Sequence, residues 1–104
     1  MGRPKSKSIL QDEPECYVTR KRLGTKAVGG LQVHHIFYGR NRQASDRNGF
    51  WVWLLPYWHT ASMYGVHGKY GADLDRELKQ DCQRKFEETH TREEFMRLIG
   101  RSYL

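Results

Sequence analysis

The sequence predicts an α+β domain, and three observations predict it. Two short runs rich in β-branched and aromatic residues, at 31–38 and 50–55, have strand character. After Gly71, residues Leu74, Leu78, Cys82 and Phe86 recur every four positions between charged residues, the pattern of a helix with one buried face. Thr91 and Glu94 then form a T-x-x-E capping signature ahead of Phe95 and Ile99, and Gly100 closes that segment.

Taken in order, residues 1–8 are basic and small with Pro4 among them, and read as a disordered basic arm. The remainder, 9–104, is one domain by size. PECYVT at 14–19 reads as a short strand after a turn, and RKRLGTKAVGG at 20–30 as a basic, glycine-punctuated loop. LQVHHIFY at 31–38 is a strand stopped by Gly39. RNRQASDRNG at 40–49 is a polar loop. FWVWLL at 50–55 is a second strand, apolar on both faces and therefore covered, with Pro56 at its end. YWHTASMYG at 57–65 can hold a short helix closed by Gly65. Two C-terminal helices complete the order, and Trp51, Trp53 and Tyr57 join them in the predicted core.

Composition narrows the classes. The chain is 38% hydrophobic, too apolar for a disordered protein. It lacks the run of roughly 18–20 apolar residues that a membrane span requires, and its basic start lacks the apolar core of a signal peptide. Cys16 and Cys82 have no C-x-x-C partners, which favours two free thiols in a reducing, cytoplasmic compartment. The formal net charge is +6, and its placement is uneven. Residues 1–67 hold ten Lys/Arg against four Asp/Glu, whereas 68–104 hold eight of each. A positive field over the first two-thirds suits a polyanion such as nucleic acid.

That same stretch holds four of the five histidines. His34 and His35 lie near the end of the first strand, and His59 and His67 follow the second. Successive residues of a strand point to opposite faces, so the adjacent pair divides its labour: one His toward a metal, the other toward a substrate. The spacing fits no zinc finger, because the cysteine pairs are missing. His90 lies outside the cluster and flanks the last helix.

LQVHHIFYG, a loop, an apolar strand, P-x-x-H and then YGVH make a segment order that resembles the HNH (ββα-metal) endonucleases, and within them small phage-encoded members. The likeness runs from SILQDEPECYVT to the closing GRSYL. It implies a ββα-metal core with additional C-terminal helices, and a metal-dependent endonuclease acting on DNA in the cytoplasm of a bacterial or phage-infected cell. It also assigns roles. His34, His59 and His67 become metal ligands, and His35 becomes the general base. Phe50 stands where the family has its central Asn, so Asn48 is the nearest substitute as a catalytic residue, and Thr60 replaces the Asn often found after the later His. No structural zinc finger is expected. A duplex cut needs two active sites, hence a homodimer, or two separate nicks.

The chemistry is self-consistent. A histidine with an ordinary pKa near ~6.5 can take a proton from water at neutral pH. Three imidazoles suit Zn²⁺, Ni²⁺, Co²⁺ or Mn²⁺ better than Mg²⁺. Asn48 or a carbonyl could set the tautomer of His35. Arg40, Arg42 and Arg47 could clamp phosphates, and Arg20, Lys21 and Arg22 with Lys26 could track the backbone. Trp51, Trp53 and Trp58 are core residues first and base-stacking residues second. Two other readings stay open: a metal-stabilised DNA-binding module without turnover, and a phage factor that binds a host protein.

Overall fold

The computed structural model describes residues 4–104 and shows an α+β fold. Its order is α1 (Tyr17–Leu23), β1 (Gln32–His35), α2 (Arg42–Asn48), β2 (Trp51–Leu54), α3 (Pro56–His59), α4 (Ala72–Phe86) and α5 (Arg92–Ile99), with a single 3₁₀ turn at Gly39–Asn41 leading into α2. Among the described residues, no helix is long and apolar enough to cross a membrane.

The two strands pair antiparallel, with Gln32 opposite Leu54, Val33 opposite Trp53, His34 opposite Val52 and His35 opposite Trp51. Because side chains alternate, Gln32, His34, Val52 and Leu54 share one face of the sheet. Val33, His35, Trp51 and Trp53 share the other. The first face turns into the core, where Val52 and Leu54 are fully buried.

Helix α4 turns Leu74, Leu78, Cys82 and Phe86 inward, as their four-residue spacing predicts. Helix α5 carries the full capping box: the Thr91 hydroxyl accepts from the Glu94 N–H, and the Glu94 carboxylate accepts from the Thr91 N–H. Gly100 closes it in the left-handed region at φ 103°. Phe37, Phe50, Phe86 and Phe95 meet with ring centroids 5.4–6.1 Å apart and join strands to helices. Cys16 and Cys82 are free thiols, both buried in this core.

Three segments differ from the sequence reading. Residues 14–19 do not form a strand, and 20–30 is not all loop: α1 covers Tyr17–Leu23 and ends at Gly24 with φ 68°. The β-formers Tyr17, Val18 and Thr19 yield to tertiary context, because one helical turn places Val18 and Thr19 in the core. Residues 40–49 are helical rather than loop. The one buried side chain of helix α2 is Ser45. The Ser45 hydroxyl donates to the Phe37 carbonyl at 2.6 Å and accepts from the Phe37 N–H at 3.1 Å, which satisfies the backbone where β1 leaves the sheet. Tyr57, expected in the core, is 49% exposed.

The third difference is the N-terminal arm. Residues 1–3 of that expectation lie outside the described residues. From Ser6 on, the chain is not free but laid along the outer edge of β2 and its approach. The Ser6 N–H donates to Asp46, the Ile9 N–H to Gly49 and the Ser8 hydroxyl to Trp51, while the Trp51 indole N–H donates back to the Ser6 carbonyl. The Trp53 N–H is taken by the Gln11 side chain at 2.9 Å. A two-stranded sheet leaves an open edge of unpaired backbone groups, and the arm satisfies it. Gly49, at φ 74°, makes room: a Cβ there would strike the Lys7 carbonyl.

Candidate metal centre

His34 is placed by β1, near the end of the strand face that looks into the core, and is only 2% exposed. His59 is the last residue of α3, whose first residue is Pro56, pre-set for a helix start. His67 is brought in by a short backbone ladder. The Val66 N–H donates to Trp58 at 2.9 Å and the His67 N–H to His59 at 3.2 Å. Gly65 lets this loop close, since a Cβ there would lie 2.6 Å from the His59 carbonyl oxygen.

The three rings form a nearly equilateral cluster, with centroids 5.2, 5.2 and 5.1 Å apart. One nitrogen from each lies within 4.8 Å of the other two. His34 is buried, His59 half-buried and His67 exposed, so the cluster runs from the core to the surface. His34 Nε2 is buried with no hydrogen-bond partner. Leaving such a nitrogen unsatisfied costs about 1–3 kcal/mol. Three imidazole donors, one of them carrying an unpartnered buried nitrogen, form a donor set that could hold a divalent metal ion.

Protonation agrees with this fit. Burial, then the charges of His59, His67, His35 and Lys79, push the His34 pKa down to about 3. Burial and then His67 lower that of His59 as well. Both are neutral at neutral pH, the form a ligand requires.

Two surrounding features were not read from the sequence. The His59 Nδ1–H donates to Gln32 Oε1 at 2.8 Å, which leaves Nε2 as the nitrogen with a free lone pair. Gln32 lies two residues before His34 on the same strand face, and that spacing was the available signal. Tyr38 packs against His67 at 5.3 Å, under the Lys79 ammonium at 4.5 Å, and Lys79 is paired with Asp75 at 2.8 Å. Burial and then Asp75 raise the Tyr38 pKa, keeping the phenol protonated.

His35 takes the opposite face, as expected of adjacent strand residues. It opens on a cleft of about 630 Å³ lined by Pro4, Lys5, Arg42, Gln43, Asp46 and Arg47. Its Nε2 lies 3.4 Å from Asp46 Oδ1. Asp46 therefore stands where Asn48 was expected. Asn48 instead donates to the Ala44 carbonyl at 2.8 Å and lines a different cleft, with Phe86, His90 and Glu94. The cause is α2: two residues on a helix are separated by about 200° of rotation, so Asp46 and Asn48 cannot both face His35.

The basic candidates also separate. Arg42 and Arg47 line the His35 cleft, and Arg40 is exposed on the 3₁₀ turn. Arg20, Lys21 and Arg22 are not on an open loop. They sit on α1 with carboxylates: Arg20 with Glu15 at 2.7 Å, Lys21 with Glu77 and Asp81 at 2.8 and 2.6 Å, and Arg22 with Glu77 at 2.8 Å. Lys26 lies 3.6 Å from Glu13. His90 stacks on Phe86 at 4.1 Å, away from the cluster, as its position in the sequence suggested.

Comparison of the chain with protein-family models, with curated proteins and with solved structures finds no match. The site is therefore defined by its geometry.

Proposed function

We propose that this chain is a metal-dependent endonuclease of the HNH (ββα-metal) type, hydrolysing phosphodiester bonds in DNA. The observation that carries the reading is the convergence of His34, His59 and His67 from three separate segments, together with a buried His34 Nε2 that has no hydrogen-bond partner. The adjacent His35 supports it, because this second imidazole is kept out of the cluster and faces a basic cleft.

His34, His59 and His67 would hold one divalent ion. When bound, such an ion acts as a Lewis acid on the phosphate and the leaving oxygen. His35 is the general base. It takes the proton of a water whose oxygen bonds to phosphorus while the bond from phosphorus to the leaving sugar oxygen breaks, and that oxygen is protonated by solvent. Asp46 accepts from His35 Nε2–H, so the lone pair for the water proton resides on Nδ1. Gln32 does the same for His59, holding the tautomer that ligation requires.

The test is cleavage of supercoiled plasmid by protein stripped with chelator and reloaded with Zn²⁺, Mn²⁺, Ni²⁺, Co²⁺ or Mg²⁺. The parent cuts with at least one ion. His35→Ala still binds zinc but cuts at least ~10²-fold more slowly, the usual loss of a general base. Zinc binding without cleavage by the parent under any ion would identify a metal-stabilised module instead.

A further inference from the structure

We infer that the cleft between the N-terminal arm and α2, walled by Lys5, Arg42 and Arg47, is the seat of a phosphodiester strand, and that the basic face of α1 is not. The inference rests on the nuclease reading for the kind of partner, and on separate observations for the place.

The two walls have different origins. One is the arm, where hydrogen bonds from Ser6 to the Asp46 and Arg47 carbonyls hold the chain against the end of α2 and carry the exposed Lys5. The other is α2, where Arg42 and Asp46, and likewise Gln43 and Arg47, sit four residues apart and so share a side of the helix. His35 and Asp46 lie in the same cleft. The lining holds three cations and one carboxylate, and that carboxylate faces His35.

Among the described residues, Lys5, Arg42 and Arg47 have no carboxylate partner, and the Arg47 guanidinium is held only by the Gln43 amide oxygen at 3.2 Å. Their charge is available to an incoming anion, and two of the three are guanidiniums, which match phosphate oxygens in a bidentate manner. The α1 cations are already matched by Glu15, Glu77 and Asp81, so a phosphate there would have to displace a carboxylate. A strand seated in the cleft passes directly over His35. Formal charge summed along the chain cannot make this distinction, because it weights both groups alike.

The experiment measures binding of a fluorescein-labelled DNA duplex across a salt series, in the His35→Ala background so that nothing is cut. Simultaneous Lys5→Gln, Arg42→Gln and Arg47→Gln should flatten the slope of log affinity against log salt by up to ~3 units, about one for each phosphate that no longer meets a cation. At about 0.1 M salt, binding should weaken on the order of 10²-fold. Arg20→Gln with Lys21→Gln and Arg22→Gln should change the slope by less than about one unit. Unchanged thermal melting of each triple variant shows that it is folded, and Arg42→Gln alone, on the helix surface, should already remove about one unit of slope. If the α1 variant loses the slope and the cleft variant keeps it, the assignment is overturned while the nuclease reading stands. If the parent neither binds the duplex nor cuts plasmid, both fall together.

Discussion

Replacing His34 with phenylalanine should make the metal-free protein more stable and the zinc-loaded protein relatively less so. His34 is 2% exposed and its Nε2 has no partner, so without an ion the folded state carries an unsatisfied polar atom. That penalty is about 1–3 kcal/mol, and a ring of similar shape without the nitrogen removes it. In a domain of this size, 1 kcal/mol moves the melting temperature by roughly 4–8 °C, so His34→Phe in chelator should melt at least ~4 °C above the parent. Zinc at about a thousand times its dissociation constant stabilises the parent by about 4 kcal/mol and does nothing comparable for a variant missing one ligand. The order of the two proteins therefore inverts between chelator and zinc. Thermal melts followed by circular dichroism read it directly. Phenylalanine is the larger side chain, so His34→Leu serves as the second variant. If both melt below the parent in chelator, or if zinc does not raise the parent, the imidazole is a satisfied core residue and the metal reading fails.

Three further outcomes are expected. Gln32→Leu should weaken zinc binding by roughly 10–100-fold in a competition titration with the fold intact, because His59 loses the acceptor that holds its tautomer. Chelation should abolish cleavage yet leave the far-UV helical signal largely in place, since α4 and α5 pack through Leu74, Leu78, Phe86, Phe95 and Ile99 and supply none of the three histidines; loss of most helical ellipticity would show instead that metal binding drives folding. Metal-free protein should lose stability as pH falls. Folded His34 stays neutral down to about 3 while the unfolded chain protonates it near 6.5, so between those values the unfolded state holds the extra proton and stability drops by about 1.4 kcal/mol per pH unit. Urea melts in chelator at about pH 7 and about pH 5 measure that slope, and His34→Phe should flatten most of it.

Much of the fold was legible in order and type. The helices α4 and α5 announced themselves because their stabilising interactions are periodic along the chain: every fourth residue of α4 is buried, and the Thr91–Glu94 box is a purely local exchange of hydrogen bonds. The strands β1 and β2 stood out by composition, through runs of β-branched and aromatic side chains at 31–38 and 50–55 that are longer than the strands themselves. The division between His34 and His35 followed from strand alternation alone.

What failed was whatever depends on a partner distant in sequence. Helix α2 has no apolar stripe: its one buried side chain is Ser45, bonded to Phe37, and only Ala44 packs beside it against the core, so 40–49 has the composition of a loop. Helix α1 is written in β-forming residues, and its helical state is decided by the core that Val18 and Thr19 enter. The arm looked free because its partners, the open edge of β2 and the end of α2, lie about forty residues away.

The sequence by itself determined which chemistry-bearing residues exist, that the paired histidines take opposite strand faces, and where α4 and α5 run, because alternation, helical period and capping are short-range properties of the backbone. Only the tertiary structure decided that His34, His59 and His67 meet, that Asp46 rather than Asn48 faces His35, and which cations are matched by carboxylates. Those outcomes depend on distances between segments far apart in the chain, and electrostatic and hydrogen-bond energies depend on distance in space, of which spacing along the chain is a poor measure.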